Sequence, residues 1–388
     1  MGFAGLTPKQ STQRGKVELY EDDRIEFLRV SVDEVSDRGD IGYWNTRWVE
    51  VEAQLRKCPY PLRKLDKFIP DTVERDGTTV PGITYGQVGK REYPPVGTTV
   101  QHQNGAVKLL LPTPRRKEER EGVLYLQVRN LRRTGIDPYE TPTERRFIEA
   151  GSYNDLARSR LKTGDLLIVN SGIGSLGRCV VLTDQFPFTR INISQDITRI
   201  ILHDIKPEWV AIYLQSEWGA HQIVRYASGV SGQIKIDFGE LKRIKIPKLP
   251  DSLQRVFQQN YRLMTAYHLR SLNDQDATQD EERGYFQRIA FGMLETMIVQ
   301  AEQAARSKDA RPLPLIPEGL PESLAKLLED EYARIGAIAE CMDTRPKHRY
   351  LRARPLGIPL ERDPQIVHEV ERLTRWVQGF LEFRNASR

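Results

Sequence analysis

Apolar residues recur with more than one period along this chain, and the changes of period divide it. Trp44, Trp48, Val51 and Leu55 fall at i, i+4, i+7 and i+11, one face of a short helix that must end before Pro59 and Pro61. Between residues 59 and 250 the apolar runs shorten or alternate, at 83–87, 106–111, 122–127, 165–170, 179–182, 198–203 and 234–238. Gly, Pro, Asp and Asn separate them, a texture that predicts a mostly β domain with irregular loops. One helix interrupts it at 207–225, opened by Pro207 and Glu208 and made apolar by Trp209, Ile212, Tyr213 and Trp218. Beyond Pro250 the period becomes helical again. Leu253, Val256, Phe257, Tyr261, Met264 and Tyr267 form one stripe. After a polar break at 273–282, Phe286, Ile289, Met293, Leu294, Met297 and Ile298 form a second. Two such helices make a helical hairpin or coiled-coil arm, or they pack on their own domain.

The expected fold class is α+β, in four regions. Residues 1–58 hold a flexible lead over 1–22, a strand at 24–32 and the first helix. Residues 59–250 form the β domain. Residues 251–305 are the long helices. Residues 306–388 begin with a proline-rich linker at 311–321 and continue as two helices, 322–341 and 364–384, joined by the basic segment 345–354.

Charge adds a direction to this plan. Residues 56–250 carry 31 Lys and Arg against 21 Asp and Glu, whereas the rest of the chain carries 27 against 32. A basic middle between acidic ends suits a polyanionic partner or a locally basic solvated surface. No apolar run approaches the roughly 20 residues that span a bilayer. The N-terminus lacks the apolar stretch of a secretory signal, and Cys58, Cys179 and Cys341 have neither metal nor disulfide spacing. A cytoplasmic protein without membrane contact is the expectation.

Chemistry-bearing motifs are mostly excluded. Gly172-Ile173-Gly174-Ser175-Leu176-Gly177 matches GxGxxG, but a dinucleotide site needs a helix directly after the glycines. Here Arg178-Cys179-Val180-Val181-Leu182 follows, which reads as a strand, so the glycines belong to a hairpin. A Walker lysine, HExxH, a nucleophile elbow and the Asn/Asp-Pro-Pro-aromatic tetrapeptide of adenine methyltransferases are all missing. The six histidines stand singly, so neither a resident metal nor a cofactor is expected. What the β domain does offer is three basic or glycine-rich loops. Arg129, Asn130, Arg132 and Arg133 follow one strand, Ser171 and Arg178 bracket the glycine hairpin, and Gln233 and Lys235 end a second glycine-rich loop at 228–235. Each alone is an ordinary turn with a solvated charge. Together these side chains are the candidate DNA contacts, because Arg, Asn and Gln pair with base edges and Lys with phosphates.

Tyr125-Leu126-Gln127-Val128-Arg129-Asn130-Leu131, then Gly164-Asp165-Leu166-Leu167 and Gly172-Ile173-Gly174, resemble the target recognition domain of type I restriction-modification specificity subunits. The helix from Pro207, the Ala227-Ser228-Gly229 loop, and Leu241, Ile244, Ile246, Pro247, Leu249 and Pro250 follow in the family's order. Tyr60-Pro61-Leu62-Arg63-Lys64-Leu65 resembles its opening strand, so the likeness runs over about residues 42–300. It implies a non-catalytic reader of double-stranded DNA that directs a separate adenine-N6 methyltransferase, in restriction-modification or a related phage-defence system. S-adenosylmethionine would be bound by that partner, and a restriction or translocase subunit could join. One departure is large: the family carries two recognition domains and this chain carries one, as a half-size subunit would. The helices at 252–272 and 284–305 would dock the partner, and if two copies pair through them a symmetric bipartite target follows. The rival readings are a stand-alone DNA-binding regulator or anti-restriction decoy, and a nucleotide-dependent enzyme using Gly172–Gly177.

Overall fold

The computed structural model describes residues 8–11, 17–21, 26–30, 46–86, 123–140, 147–148, 157–172, 174–228, 234–273, 280–344 and 363–387. Strands β1 (Pro8–Ser11), β2 (Val17–Glu21) and β3 (Glu26–Val30) form an antiparallel meander ahead of helix α1 (Thr46–Arg56). The expected loose lead thus contains two strands, because Val17 and Leu19 alternate with Glu18 and pair in register with β3. The expected strand at 106–111 and the segment 345–354 lie outside the described residues.

The middle of the chain builds β4 (Leu62–Lys64), β5 (Thr72–Arg75), β6 (Thr78–Pro81), β7 (Ile83–Tyr85), β8 (Val123–Leu126), β9 (Phe147–Ile148), β10 (Leu166–Val169), β11 (Cys179–Val181), β12 (Ile191–Ile193), β13 (Ile197–Ile200) and β14 (Lys245–Pro247). One sheet has the order β11-β10-β13-β7, all antiparallel. A second has the order β12-β8-β9, with β8 and β12 parallel. Leu166, Ile168, Cys179, Val181 and Ile200 face the helices, whereas Leu167, Val169, Val180 and Ile197 meet Leu124, Leu126, Ile191 and Ile193. The larger sheet is therefore covered on both faces, and β10 reads as an unbroken apolar run instead of an alternation.

Helices α2 (Pro207–Gln215), α3 (Glu217–Tyr226), α4 (Phe238–Arg243), α5 (Asp251–Asn273), α6 (Asp280–Arg306), α7 (Glu322–Thr344) and α8 (Pro364–Ala386) complete the fold. The single helix expected at 207–225 is two. Ser216 is extended, accepts the Gly219 N–H at 3.4 Å and so caps α3. A Cβ on Gly219 would stand 2.2 Å from the Tyr213 carbonyl oxygen, so the tight corner needs glycine. Ile234–Phe238, expected as a strand, supplies one bridging residue, Lys235. Asp237 then accepts the Glu240 N–H at 2.9 Å and starts α4.

α5 and α6 do not project as an arm. The Tyr261 hydroxyl accepts the Val181 N–H at 2.9 Å, and Phe257 lies 5.0 Å from the Trp209 ring. Ile289, Met293, Leu294, Met297 and Ile298 of α6 are fully buried. α7 runs antiparallel along α6, with Gly292 against Tyr332 and Gly336 against Arg288. α8 closes on α7 through ion pairs among Glu331, Arg334, Glu369 and Arg372. The apolar faces expected to dock a partner over 252–272 and 284–305 are covered by this chain's own domain and last helices, since burying those stripes internally removes them from water.

Candidate nucleic-acid interface

The antiparallel register places the ends of several strands at one edge of the β domain. β10 finishes at Val169 opposite Ile197, the first residue of β13, and β7 finishes at Tyr85 opposite Thr198. β8 finishes at Leu126 beside Ile193, the last residue of β12. The segments that follow or precede these positions must therefore emerge together. They include 127–137, the glycine hairpin around 170–178 and the 194–196 turn, and Ser228 and Lys235 join them through the bridge to Ser171.

Hydrogen bonds confirm that convergence. The Ser171 hydroxyl donates to the Asp196 carboxylate at 2.8 Å. Lys235 bridges both Ser171 and Ser228, exchanging two backbone bonds of 2.8 Å with Ser228. Asn170 donates to Gln195 O and Thr198 Oγ1, each at 3.1 Å. Gly172, Gly174 and Gly177 have φ of +97°, +80° and +76°, the left-handed region where side chains are strained. The Gly172 carbonyl accepts the Leu176 N–H at 2.9 Å and the chain enters β11. No helix N-terminus follows these glycines, which removes the nucleotide reading of the motif.

The candidate contacts divide into two groups. Arg129 is exposed and lines a depression of about 450 Å³ with Gln127, Ser194, Gln195 and Asp196. Lys235 is exposed between exposed Ser228 and half-buried Ser171. Gln233 lies outside the described residues. Arg132 is partly exposed and pairs with Glu140 at 2.7 Å. Arg178 is half-buried and donates to Leu131 O at 2.8 Å and Gly174 O at 3.3 Å, tying the hairpin to the 127–137 segment. Asn130 and Arg133 correct the expectation. Asn130 is 1% exposed; it accepts the Gln127 N–H and donates to Asp137 O at 2.7 Å. Arg133 is 7% exposed and reaches Glu295 of α6 at 2.7 Å. Both hold the loop in place, because an Arg or Asn taken out of water must find partners inside. Gln195 is exposed beside Arg129 and was not anticipated. The polar Ser194-Gln195-Asp196 break between two apolar strands was its signal.

A second depression, about 420 Å³, separates the hairpin from the helices and is lined by Arg132, Gly174, Arg178, His268 and Arg283 among others. His268 is buried at its edge, 2.9 Å from the Thr134 hydroxyl through Nδ1. Burial above all pushes its pKa down to about 4, opposed by a hydrogen bond with the Ile136 backbone and reinforced by the Arg132 charge. The folded state thus binds this proton less readily than the unfolded chain, whose His titrates near 6.5. Stability from this group is intact above pH 6.5 and is lost as the pH falls towards 4, by about 3 kcal/mol. Urea titrations between pH 7.5 and 4.5 should show that loss, and His268→Gln should flatten it.

No family model and no curated protein matches the chain. Similarity appears among solved structures. Two of the solved structures the chain is similar to come from restriction systems. One is the type I restriction-modification system S subunit from M. genitalium, at 13% identity and a TM-score of 0.31, covering 64% of this chain and 48% of that one. The other is the type IIG restriction endonuclease BpuSI, at 10% identity and a TM-score of 0.33, covering 82% of this chain and 38% of that one. The chain spans less than half the length of either. Both likenesses are distant, and the geometry above stands apart from them. Among the described residues, no group of His, Cys, Asp and Glu could hold a metal, and no helix is long and apolar enough to cross a membrane.

Proposed function

We propose that this chain is a DNA reader that recognises a short duplex sequence with the loop edge of its β domain and performs no chemistry itself. One observation carries the reading. Four segments far apart in sequence, 127–137, 170–178, 194–196 and the pair Ser228 and Lys235, are hydrogen-bonded into one edge with Arg129, Gln195, Ser228 and Lys235 exposed on it. A set of donors held in place by such hydrogen bonds is what base readout requires. The finer reading follows the resemblance: the chain would present its site to a separate adenine-N6 methyltransferase, which would bring the S-adenosylmethionine. Long-read mapping of adenine methylation, in cells making such a methyltransferase with and without this chain, tests it. A motif methylated only with the chain present supports the reading. Identical methylation in both cultures leaves the regulator or decoy.

Alanine at Arg129 should weaken specific binding by roughly 1–3 kcal/mol and relax one position of the motif if it reads a base. At Lys235 alanine should weaken binding to all sequences alike, as loss of a phosphate contact does. Fluorescence anisotropy with matched and scrambled duplexes separates the two patterns.

A further inference from the structure

An open cleft lies at the opposite end of α5 from the hairpin. Its volume is about 1170 Å³, and its walls include Arg63, Lys206, Lys248, Lys308 and Arg311. Twenty residues of α5 separate Asp251 in this cleft from Ser271 in the smaller one, or about 30 Å at 1.5 Å per residue. We infer that this cleft is a second, sequence-independent site for the phosphate backbone of duplex DNA. The inference rests on the DNA-reading function proposed above.

Charge is the main argument. Among the described residues none of the five cations pairs with a carboxylate. The two carboxylates in the lining are engaged elsewhere: Asp204 with His203 at 2.9 Å and Asp251 with Arg255 at 2.7 Å. Arg311 reaches only the carbonyl oxygens of Lys308 and Ala310. Five cations against two carboxylates leave the lining with an excess of three positive charges, a field that attracts an anion. The walls are also fixed in advance. Buried Gln254 accepts the Lys206 N–H at 2.8 Å and donates to Leu249 O at 2.7 Å, locking the start of α5 to the start of α2. The Lys248 N–H donates to Pro61 O at 3.0 Å, holding Lys248 near Arg63. An open cleft with spread cations suits an extended polyanion better than a single phosphate, which a few convergent donors would grip.

The test uses the full chain with Arg63, Lys206, Lys248, Lys308 and Arg311 all changed to Gln. Anisotropy with a labelled random-sequence duplex is followed over a series of salt concentrations. Each lost phosphate contact should reduce the slope of log K against log salt by about 0.9. Random-duplex affinity should fall at least tenfold at low salt, while the ratio of specific to random binding stays as in the parent. K308Q/R311Q changes only exposed residues and guards against misfolding; it should give a proportionate part of the effect. An unchanged slope in both variants overturns the inference. So does tight binding of tripolyphosphate that the variants lose while their duplex binding is unaltered, which would mark a site for a small phosphate compound. If the parent selects no motif yet the slope falls in the variants, the cleft stands and the specificity reading fails.

Discussion

Glu295→Ala should destabilise the chain by about 3–5 kcal/mol, because it takes a carboxylate partner from a buried guanidinium. Arg133 and Glu295 have side chains 7% and 2% exposed and meet at 2.7 Å. Removing either partner leaves a charge in a low-dielectric interior. Replacing both, as Arg133→Met with Glu295→Leu, should recover much of the loss, since an apolar pair of similar volume needs no desolvation. The Arg133 carbonyl also accepts from Gln215 Nε2 at 3.3 Å, so the same residue ties the 127–137 segment to α2 and α6. Urea unfolding measures the cost. The outcome separates two roles for Arg133. If Arg133→Ala leaves stability within about 0.5 kcal/mol, the size of an ordinary surface change, and weakens DNA binding, Arg133 is a contact after all. A large stability loss, with specific and random binding falling together, is the structural result.

Gly336→Leu should be at least as damaging. A Cβ at Gly336 would stand 1.8 Å from the Arg288 carbonyl oxygen, and one at Gly292 would stand 1.9 Å from the Tyr332 carbonyl oxygen. The two glycines let α6 and α7 touch backbone to backbone, and no side-chain rotation relieves such a clash. Overpacking a core typically costs about 1–3 kcal/mol, and forcing two helices apart along a shared apolar face belongs at or above the top of that range. Gly379 in α8 is the control: a Cβ there meets nothing within 4 Å. Gly379→Ala should therefore stabilise by up to about 1 kcal/mol, the helix-propensity difference alone. Thermal melts of the three single variants check the order, with Gly336→Leu and Gly292→Leu low and Gly379→Ala at or above the parent.

Much of this fold was legible in the residues because the hydrophobic period reports directly on which face is buried. The long helices at 251–273 and 280–306 and the short helix carrying Val51 and Leu55 appear where their stripes predict. β10 and β11 flank the glycine hairpin as expected. What could not be read was what covers each stripe. The pattern of Ile289, Met293 and Met297 is the same whether the cover is a partner or the chain's own last helices. Glycine at 292 and 336 matters through partners 40 and 48 positions away, Tyr332 and Arg288, and nothing local announces it. The site divided for a similar reason. Arg129 and Arg133 are alike in sequence, and the distant Glu295 on α6 helps take Arg133 inward. Asp237 and Glu240 carried a legible helix-start signal that the apolar run 234–238 masked.

The central claim is that the edge carrying Arg129, Gln195, Ser228 and Lys235 reads a DNA sequence. Selection from a random duplex library by the purified full chain, compared with Arg129→Ala/Lys235→Ala, tests it most directly. One enriched motif is expected for the parent, with loss or relaxation of that motif in a variant whose urea midpoint is unchanged. An unenriched library with the parent, or the same motif at the same enrichment with the variant, would contradict it.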